Sequence, residues 1–589
     1  MKKNSTGNGV TVKLYKGDAM TLLAFSLEDN LLGNFTGFSI KVSFGNQSGY
    51  YLFNKLTYKK GAVKMNLKQG DDIKTSEFSP IQKFNWVHVP STQHNIGKPF
   101  YGKYTYHVTP RYIVNKELQS LNKKLTAVVS IDVNPFEKGD FKLGFTRGFV
   151  ASQAYVNNFG NNNKVRLNDT DLVFDLKQQS GPAPKEKNTD IKFYTFEKQY
   201  NWMGWQARMR IYEILDEVLR NKNMSVDVFA YDLDEPFICD TLIKLAKEER
   251  VRIILDNASL HTGVDKKGIP AFEDVFENII KDDIKKAALL VRGRFSRFSH
   301  SKVFIQKLNN KPVKVLTGST NFSTNGLYIN ANHVLIFNNA AIAQLYEDVF
   351  NESFGTDKMK DFRNTEIAAK TFDFTNKKGM PDVTFRFSPH SDAFALQEIT
   401  QIATRVKKAR SDVLFAVMND TTGSGDLLKT IRTAHERDDI FTYGIVDKSK
   451  DVTLYKPNSK KGVRVAGIGK AKRLPPPFKE EEKIPGISIH HKFVVVDFKG
   501  KNPVVFCGSS NLAQIAETQN GDNLIEIRDR EIVTAFAIEA MRLIEHFHFR
   551  NREQKNEINL YRTEWFKNYY NPKDLRCLER ELLVKENDK

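Results

Sequence analysis

I-H-H-K-F-V-V-V-D-F-K-G-K-N-P-V-V-F-C-G-S-S-N-L-A-Q-I-A-E-T-Q-N-G-D, Ile489 to Asp522, has a counterpart earlier in the chain. Ser299 to Asn332 reads S-H-S-K-V-F-I-Q-K-L-N-N-K-P-V-K-V-L-T-G-S-T-N-F-S-T-N-G-L-Y-I-N-A-N, and the two segments align without a gap. Counted from His300 and His490, lysines stand at +2 (Lys302, Lys492), glycines at +18 (Gly318, Gly508), serines at +19 (Ser319, Ser509) and asparagines at +21 (Asn321, Asn511). A lone His-x-Lys is common by chance. Four identities at fixed offsets, carried on two apolar strand-like runs in each copy, are read as an internal duplication.

Histidine can attack phosphorus, a second histidine can protonate a leaving oxygen, and lysine and amide donors can hold anionic phosphoryl oxygens. No metal-ligand spacing is present in the set, and no cofactor is expected. The pattern resembles the phospholipase D superfamily, whose signature is H-x-K-x(4)-D followed by G-S-x-N. His490, Lys492, Asp497, Gly508, Ser509 and Asn511 match it in full, whereas the first copy has Lys307 in place of the aspartate. The missing aspartate lies toward the far end of a strand, so local packing is expected to feel its loss more than the phosphate site.

The duplication extends upstream. The apolar patterning predicts a helix, a strand, a helix and a strand in each half: Trp205–Leu219, Val226–Tyr231, Pro236–Lys247 and Val251–Leu255, then Leu396–Lys408, Val413–Val417, Gly425–Glu436 and Phe441–Val446. These end at Asp256 and Asp447, which precede the two histidines by 44 and 43 residues. Two α/β sandwich lobes are therefore expected, face to face as a pseudo-dimer with both motifs at one cleft, as the resemblance also implies. Before them, period-two runs such as F-S-I-K-V-S-F and K-Y-T-Y-H-V predict an all-β sandwich. The expected division is 1–177 for the β-sandwich, 178–190 for a Pro- and Lys-containing linker, 191–375 and 376–549 for the lobes, and 550–589 for a tail packed on the second lobe.

At +32 the copies differ, with Asn332 after His300 and Asp522 after His490. If each residue reaches its own histidine, the carboxylate makes His490 the proton carrier and leaves His300 the neutral nucleophile. Catalysis is thus assigned to His300, Lys302, Asn321, His490, Lys492, Asn511 and Asp522, with Ser319, Asn332, Asp497 and Ser509 in support. Arg292, Arg294 and Arg297, interleaved with Phe295 and Phe298, and Lys470, Lys472 and Arg473 on the other side are read as basic walls for a phosphate backbone.

The net charge is +19 over 589 residues, which points to a polyanionic partner, either nucleic acid or an anionic lipid surface. Three cysteines fit neither a disulfide framework nor a zinc site. No apolar run is long enough to cross a membrane and no secretory leader is visible, so a cytoplasmic location is expected. The favoured function is a metal-independent phosphodiesterase, a nuclease cutting DNA or RNA through a phosphohistidine. The alternatives are a phospholipase acting on lipid headgroups and a noncatalytic nucleic-acid-binding relative. Restraint by a regulatory protein or by homo-oligomerisation is also expected, since a free nuclease endangers its host.

Overall fold

The computed structural model describes residues 4–90, 99–148, 155, 158–160, 164–182, 193–418, 425–448, 452–467, 489–548, 551 and 558–586. The N-terminal part is the expected sandwich. One sheet orders the strands Asn4–Gly7, Val10–Lys16, Thr21–Leu27 and Asn85–His88. The other is built on Phe35–Phe44 and Gly102–Val114, with Tyr50–Tyr51, Glu117–Leu118 and Ala127–Val133 at their flanks. All pairs are antiparallel. Along Ala127–Val133 every second residue is buried, the mark of a strand with one face on a core. That core holds Phe25, Phe35, Phe38, Phe84, Tyr104 and Tyr106.

Each lobe contains one eight-stranded mixed sheet. The first runs in the order Glu137–Lys138, Phe141–Phe145, His333–Phe337, Lys311–Gly318, Val303–Leu308, Met224–Ala230, Val251–Leu255 and Leu290–Arg292. The second runs Phe372–Phe374, Asp382–Ser388, Asp522–Arg528, Val504–Gly508, Phe493–Val496, Asp412–Val417, Phe441–Val446 and Val463–Ala466. The two orders correspond strand for strand. Among the helices, Phe196–Arg220, Pro236–Lys247, Asp392–Lys407 and Gly425–His435 cover the stretches read as helical. Thr195 caps the first, where its hydroxyl accepts from Lys198 N, and the chain bends at Trp205, whose φ is 42°.

Three boundaries differ from the sequence expectation. Phe141–Phe145 pairs with His333–Phe337, so the first lobe takes its edge from within 1–177. Period-two alternation shows that F-K-L-G-F is a strand but not which sheet receives it. Gly144 is required there, because a Cβ would lie 2.8 Å from the Gln206 carbonyl carbon of the helix packed across it. In the stretch read as a linker, Gln179–Pro182 is a strand paired with Phe193–Thr195, and 183–190 lie outside the described residues. The tail seats mainly on the β-sandwich. Trp565 stacks on Phe84 with ring centroids 5.4 Å apart, and Tyr569 and Tyr570 join the same core. Its final helix, Leu575–Val584, then touches the second lobe through Leu575 N–H, which donates to Ser459 O. Aromatic side chains follow the largest apolar face within reach, and here that face belongs to the sandwich.

Among the described residues no helix is long and apolar enough to cross a membrane.

Candidate active site

Both motifs sit where the lobes meet. Short backbone contacts stitch the interface: Phe298 bridges to Asn520, Ala331 bridges to Ile489, His490 N–H donates to Ala331 O and Gly521 N–H donates to Phe298 O. Each histidine is thus held by its own motif on one side and by the strand of the opposite lobe on the other.

That geometry overturns the expected pairing at +32. His300 Nδ1 lies 2.7 Å from Asp522 Oδ1, across the interface. His490 Nδ1 lies 2.9 Å from Asn332 Oδ1 and 3.1 Å from Ser319 O, also across it. The partners are exchanged because the strands beginning at Asp522 and His333 emerge beside the opposite lobe's motif. Position counting along one copy carries no information about an exchange between copies.

In both cases Nδ1 faces only acceptors, so it carries the hydrogen and Nε2 is left for the reaction. Asn332 cannot turn its amide round, because its Nδ2 donates to Gly326 O at 2.8 Å while its Oδ1 also accepts from Ser319 Oγ at 2.8 Å. Ser509 hydrogen-bonds Asp522 in the matching place. The motif glycines are equally constrained. Gly318 has φ +146° and Gly508 φ +121°, and a Cβ on either would lie 2.3 Å or 2.5 Å from the backbone oxygen of His333 or Asn523.

Burial dominates the protonation states. It pushes His300 down to about 4 despite the attraction of Asp522, and Lys302 adds to the depression. Burial drives His490 well below the ordinary imidazole value, assisted by Lys492 and Lys302, with no carboxylate opposing it. Asp522 is penalised by burial, but the charge and hydrogen bond of His300, together with Lys302, hold its carboxyl below the ordinary value. The lysines are depressed too: burial brings Lys302 to about 8 against the pull of Asp522 and Asp232, and burial and Lys302 hold Lys492 well below its ordinary value. An anion entering this site meets desolvated cations whose charge it stabilises in return.

Lys302 and Lys492 both donate to the carbonyl of their own motif histidine, but their surroundings differ. Lys302 Nζ lies 4.7 Å from the Tyr231 ring centroid, whereas Lys492 Nζ lies 3.2 Å from Met418 Sδ. Asn321 Nδ2 donates to Asp232, and the Oδ1 atoms of Asn321 and Asn511 are buried with no hydrogen-bond partner among the described residues. The strand-end aspartates have a defined task. Asp256 Oδ2 accepts from Ser299 N–H at 2.6 Å and Asp447 Oδ1 from Ile489 N–H at 3.1 Å, each the residue before a motif histidine. Their near-equal spacing from the histidines reflects this contact.

Two motif positions act at the far end of their strands. Asp497 accepts from Arg410 N–H and Ser411 N–H, closing a loop. Lys307, in its place, donates to buried Asp227 at 2.7 Å, and Arg252 holds the same carboxylate at 2.5 Å.

The arginine wall is corrected in part. The Arg292 side chain is buried and tied to Asp274 at 2.7 Å and Glu277 at 3.2 Å, so it braces the lobe. Phe295 is buried against Phe362. Arg294 is exposed, and Arg297 lies over the half-buried Phe298 ring at 4.7 Å. Lys470, Lys472 and Arg473 lie outside the described residues.

Several site residues escaped the sequence reading. Tyr231 stands edge-on to both His300 and His261, with centroids 4.7 and 4.5 Å away. Asp232, His261 and Glu273 offer ligand atoms that all lie within 4.8 Å of one another. Behind the site, His333 and His491 meet at 3.1 Å, and His491 reaches Glu539 at 3.2 Å. Only the position of Asp232 just past a strand end hinted at a role, since the partners are scattered along the chain.

A family model described as cardiolipin synthase, PLD-like domain, matches residues 215–354 and 427–544. No curated protein matches the chain. Among solved structures, polyphosphate kinase from Porphyromonas gingivalis is similar at 12% identity and TM-score 0.37, over 61% of this chain and 52% of the kinase, so the chain spans about half of that protein. Phosphatidylserine synthase from Haemophilus influenzae Rd KW20 is similar at 13% identity and TM-score 0.39, over 58% of this chain and 85% of that one. Nuc from Salmonella typhimurium, a phospholipase D family member, is similar at 23% identity and TM-score 0.20, over 25% of this chain and 86% of its own. The matched segments contain both His-x-Lys motifs and the strands that exchange partners between them, so the two lobes are phospholipase D-like.

Proposed function

We propose that the protein is a phosphodiesterase that cleaves nucleic acid through a covalent phosphohistidine, with His300 as nucleophile and His490 as acid and base. The exchanged pairing carries this reading. Attack by His300 Nε2 forms an N–P bond and leaves a cationic imidazole, and Asp522 on Nδ1 stabilises that charge where an amide would not. His490, protonated on Nε2 when the anionic phosphate enters and held only by neutral acceptors, gives up that proton more readily and passes it to the leaving oxygen as the P–O bond breaks. It then takes a proton from water, whose oxygen attacks phosphorus and releases His300. Lys302, Lys492, Asn321 and Asn511 hold the non-bridging oxygens. The division of labour is the one expected from the sequence, with the opposite physical reason: the carboxylate serves the nucleophile.

Nucleic acid is favoured as substrate by the +19 charge and by exposed Arg294 beside Arg297 at the approach to His300. The test is cleavage of single- and double-stranded DNA and of RNA, in EDTA, by wild type, His300→Ala and His490→Ala. Chelator-resistant cleavage lost in both variants supports the nuclease reading. A second reading, hydrolysis of lipid headgroups, is favoured by Leu260 and Val264, apolar side chains 74% and 68% exposed beside His261. Turnover of anionic vesicles with no cleavage of nucleic acid would select it.

A further inference from the structure

We infer that the first lobe carries a site for one divalent transition-metal ion, formed by His261 Nε2 and the carboxylates of Asp232 and Asp256, beside the catalytic histidine. His261 is 4% exposed and its Nε2 has no hydrogen-bond partner among the described residues, an uncommon state for a buried polar atom. Asp232 Oδ1 lies 3.4 Å from it and Asp256 Oδ1 3.9 Å from it. Two ligands on a small tetrahedral ion, with bonds of about 2.1 Å, are separated by about 3.4 Å. The other ring nitrogen, Nδ1, lies 3.4 Å from Glu273 Oε1. A carboxylate on the far nitrogen fixes which nitrogen faces the metal and raises its basicity. Glu273 is itself anchored, since the same Oε1 accepts from Leu233 N–H at 3.0 Å.

Charge points the same way. Asp232, Asp256 and Glu273 converge on one imidazole, and Lys302 is the catalytic cation that feels Asp232 and Asp256. An ion here would take up that negative charge and leave the Lys302 ammonium to the substrate phosphate. Imidazole with carboxylates suits zinc or manganese better than calcium, which prefers oxygen ligands alone. The ion forms no bond to the reacting atoms in this account. Tyr231 stands edge-on to both imidazoles, with centroids 4.5 Å from His261 and 4.7 Å from His300.

The experiment measures bound metal rather than turnover, so its failure leaves the two-histidine reading standing. The full-length protein is stripped with chelator, dialysed against Zn²⁺ or Mn²⁺, and its metal content and affinity are determined by elemental analysis and calorimetry. One ion per chain is expected. His261→Ala and the near-isosteric Asp232→Asn should each weaken binding by at least about 100-fold, and Glu273→Gln by about 10- to 100-fold. His300→Ala should bind as wild type does. Circular dichroism of Asp232→Asn, expected to match wild type, separates ligand loss from unfolding. No stoichiometric ion in wild type, or an ion retained at full affinity in both His261→Ala and Asp232→Asn, would overturn the site.

Discussion

The two lobes share an eight-strand order and a motif frame, yet they differ where it matters to chemistry. The first supplies a histidine supported by a carboxylate from its neighbour, the second a histidine supported by an amide. Around Lys302 the first lobe places Tyr231 and the acidic group of Asp232, His261 and Glu273, whereas Lys492 meets a thioether. Duplication gave the site two equivalent frames, and substitution at a few positions made them unequal. A symmetrical pair of histidines could exchange roles freely, whereas under the proposed mechanism this pair favours one direction of attack.

Removing each histidine breaks the comparison most severely. His300→Ala should lower kcat by about 10⁴-fold or more on every substrate. His490→Ala should be as damaging on a natural diester but recover much of its loss, about 10²- to 10⁴-fold, on a nitrophenyl ester whose leaving group needs no proton. Steady-state rates on the two substrates decide this. Next, Asp522→Asn should reduce kcat by about 10²- to 10⁴-fold, by analogy with carboxylates that orient a catalytic imidazole. Asn332→Asp should cost less than about tenfold and act on the pH profile.

The sign of that profile follows from the environments. Burial and the two lysines lower His490 well below the ordinary imidazole value, so its acid form is lost, and kcat/KM should fall, as pH rises while still below neutrality. On the acid side, activity should fall as His300 protonates near about 4. A carboxylate at Asn332 raises His490 and should move the upper limb to higher pH. A profile flat from pH 5 to 9 would contradict the assignment.

Smaller effects sharpen the structural half of the comparison. Lys307→Asp, which restores the motif in name, would oppose two carboxylates at Asp227 and should destabilise the protein by about 3–5 kcal/mol. Denaturant unfolding measures it, and kcat of the folded fraction should hardly change. Trp565→Ala, at the tail's seat on the sandwich, should cost about 1–2 kcal/mol in the same assay.

Much of this was legible in the sequence. Helices and strands of the lobes follow their apolar periods closely, and the motif residues converge as the duplication implied. What escaped depends on contacts between distant segments. The exchange of Asn332 and Asp522 arises at the interface, the strand Phe141–Phe145 joins a sheet some 190 residues away in sequence, and Arg292 turned inward because Asp274 and Glu277 lie beneath it. His261 stood in a loop with no periodicity to place it. Alternation reports which face of a strand is buried, not what it is buried against.

The central claim is the inequality of the two histidines, and trapping the intermediate tests it directly. Wild type, His490→Gln and His300→Gln would be mixed with a phosphorus-labelled diester, quenched in base within one turnover, digested and mapped by mass spectrometry. The account predicts an N-phosphoryl adduct on the peptide containing His300, accumulating in His490→Gln and absent from His300→Gln. An adduct on His490, or equal labelling of both histidines in wild type, would contradict it.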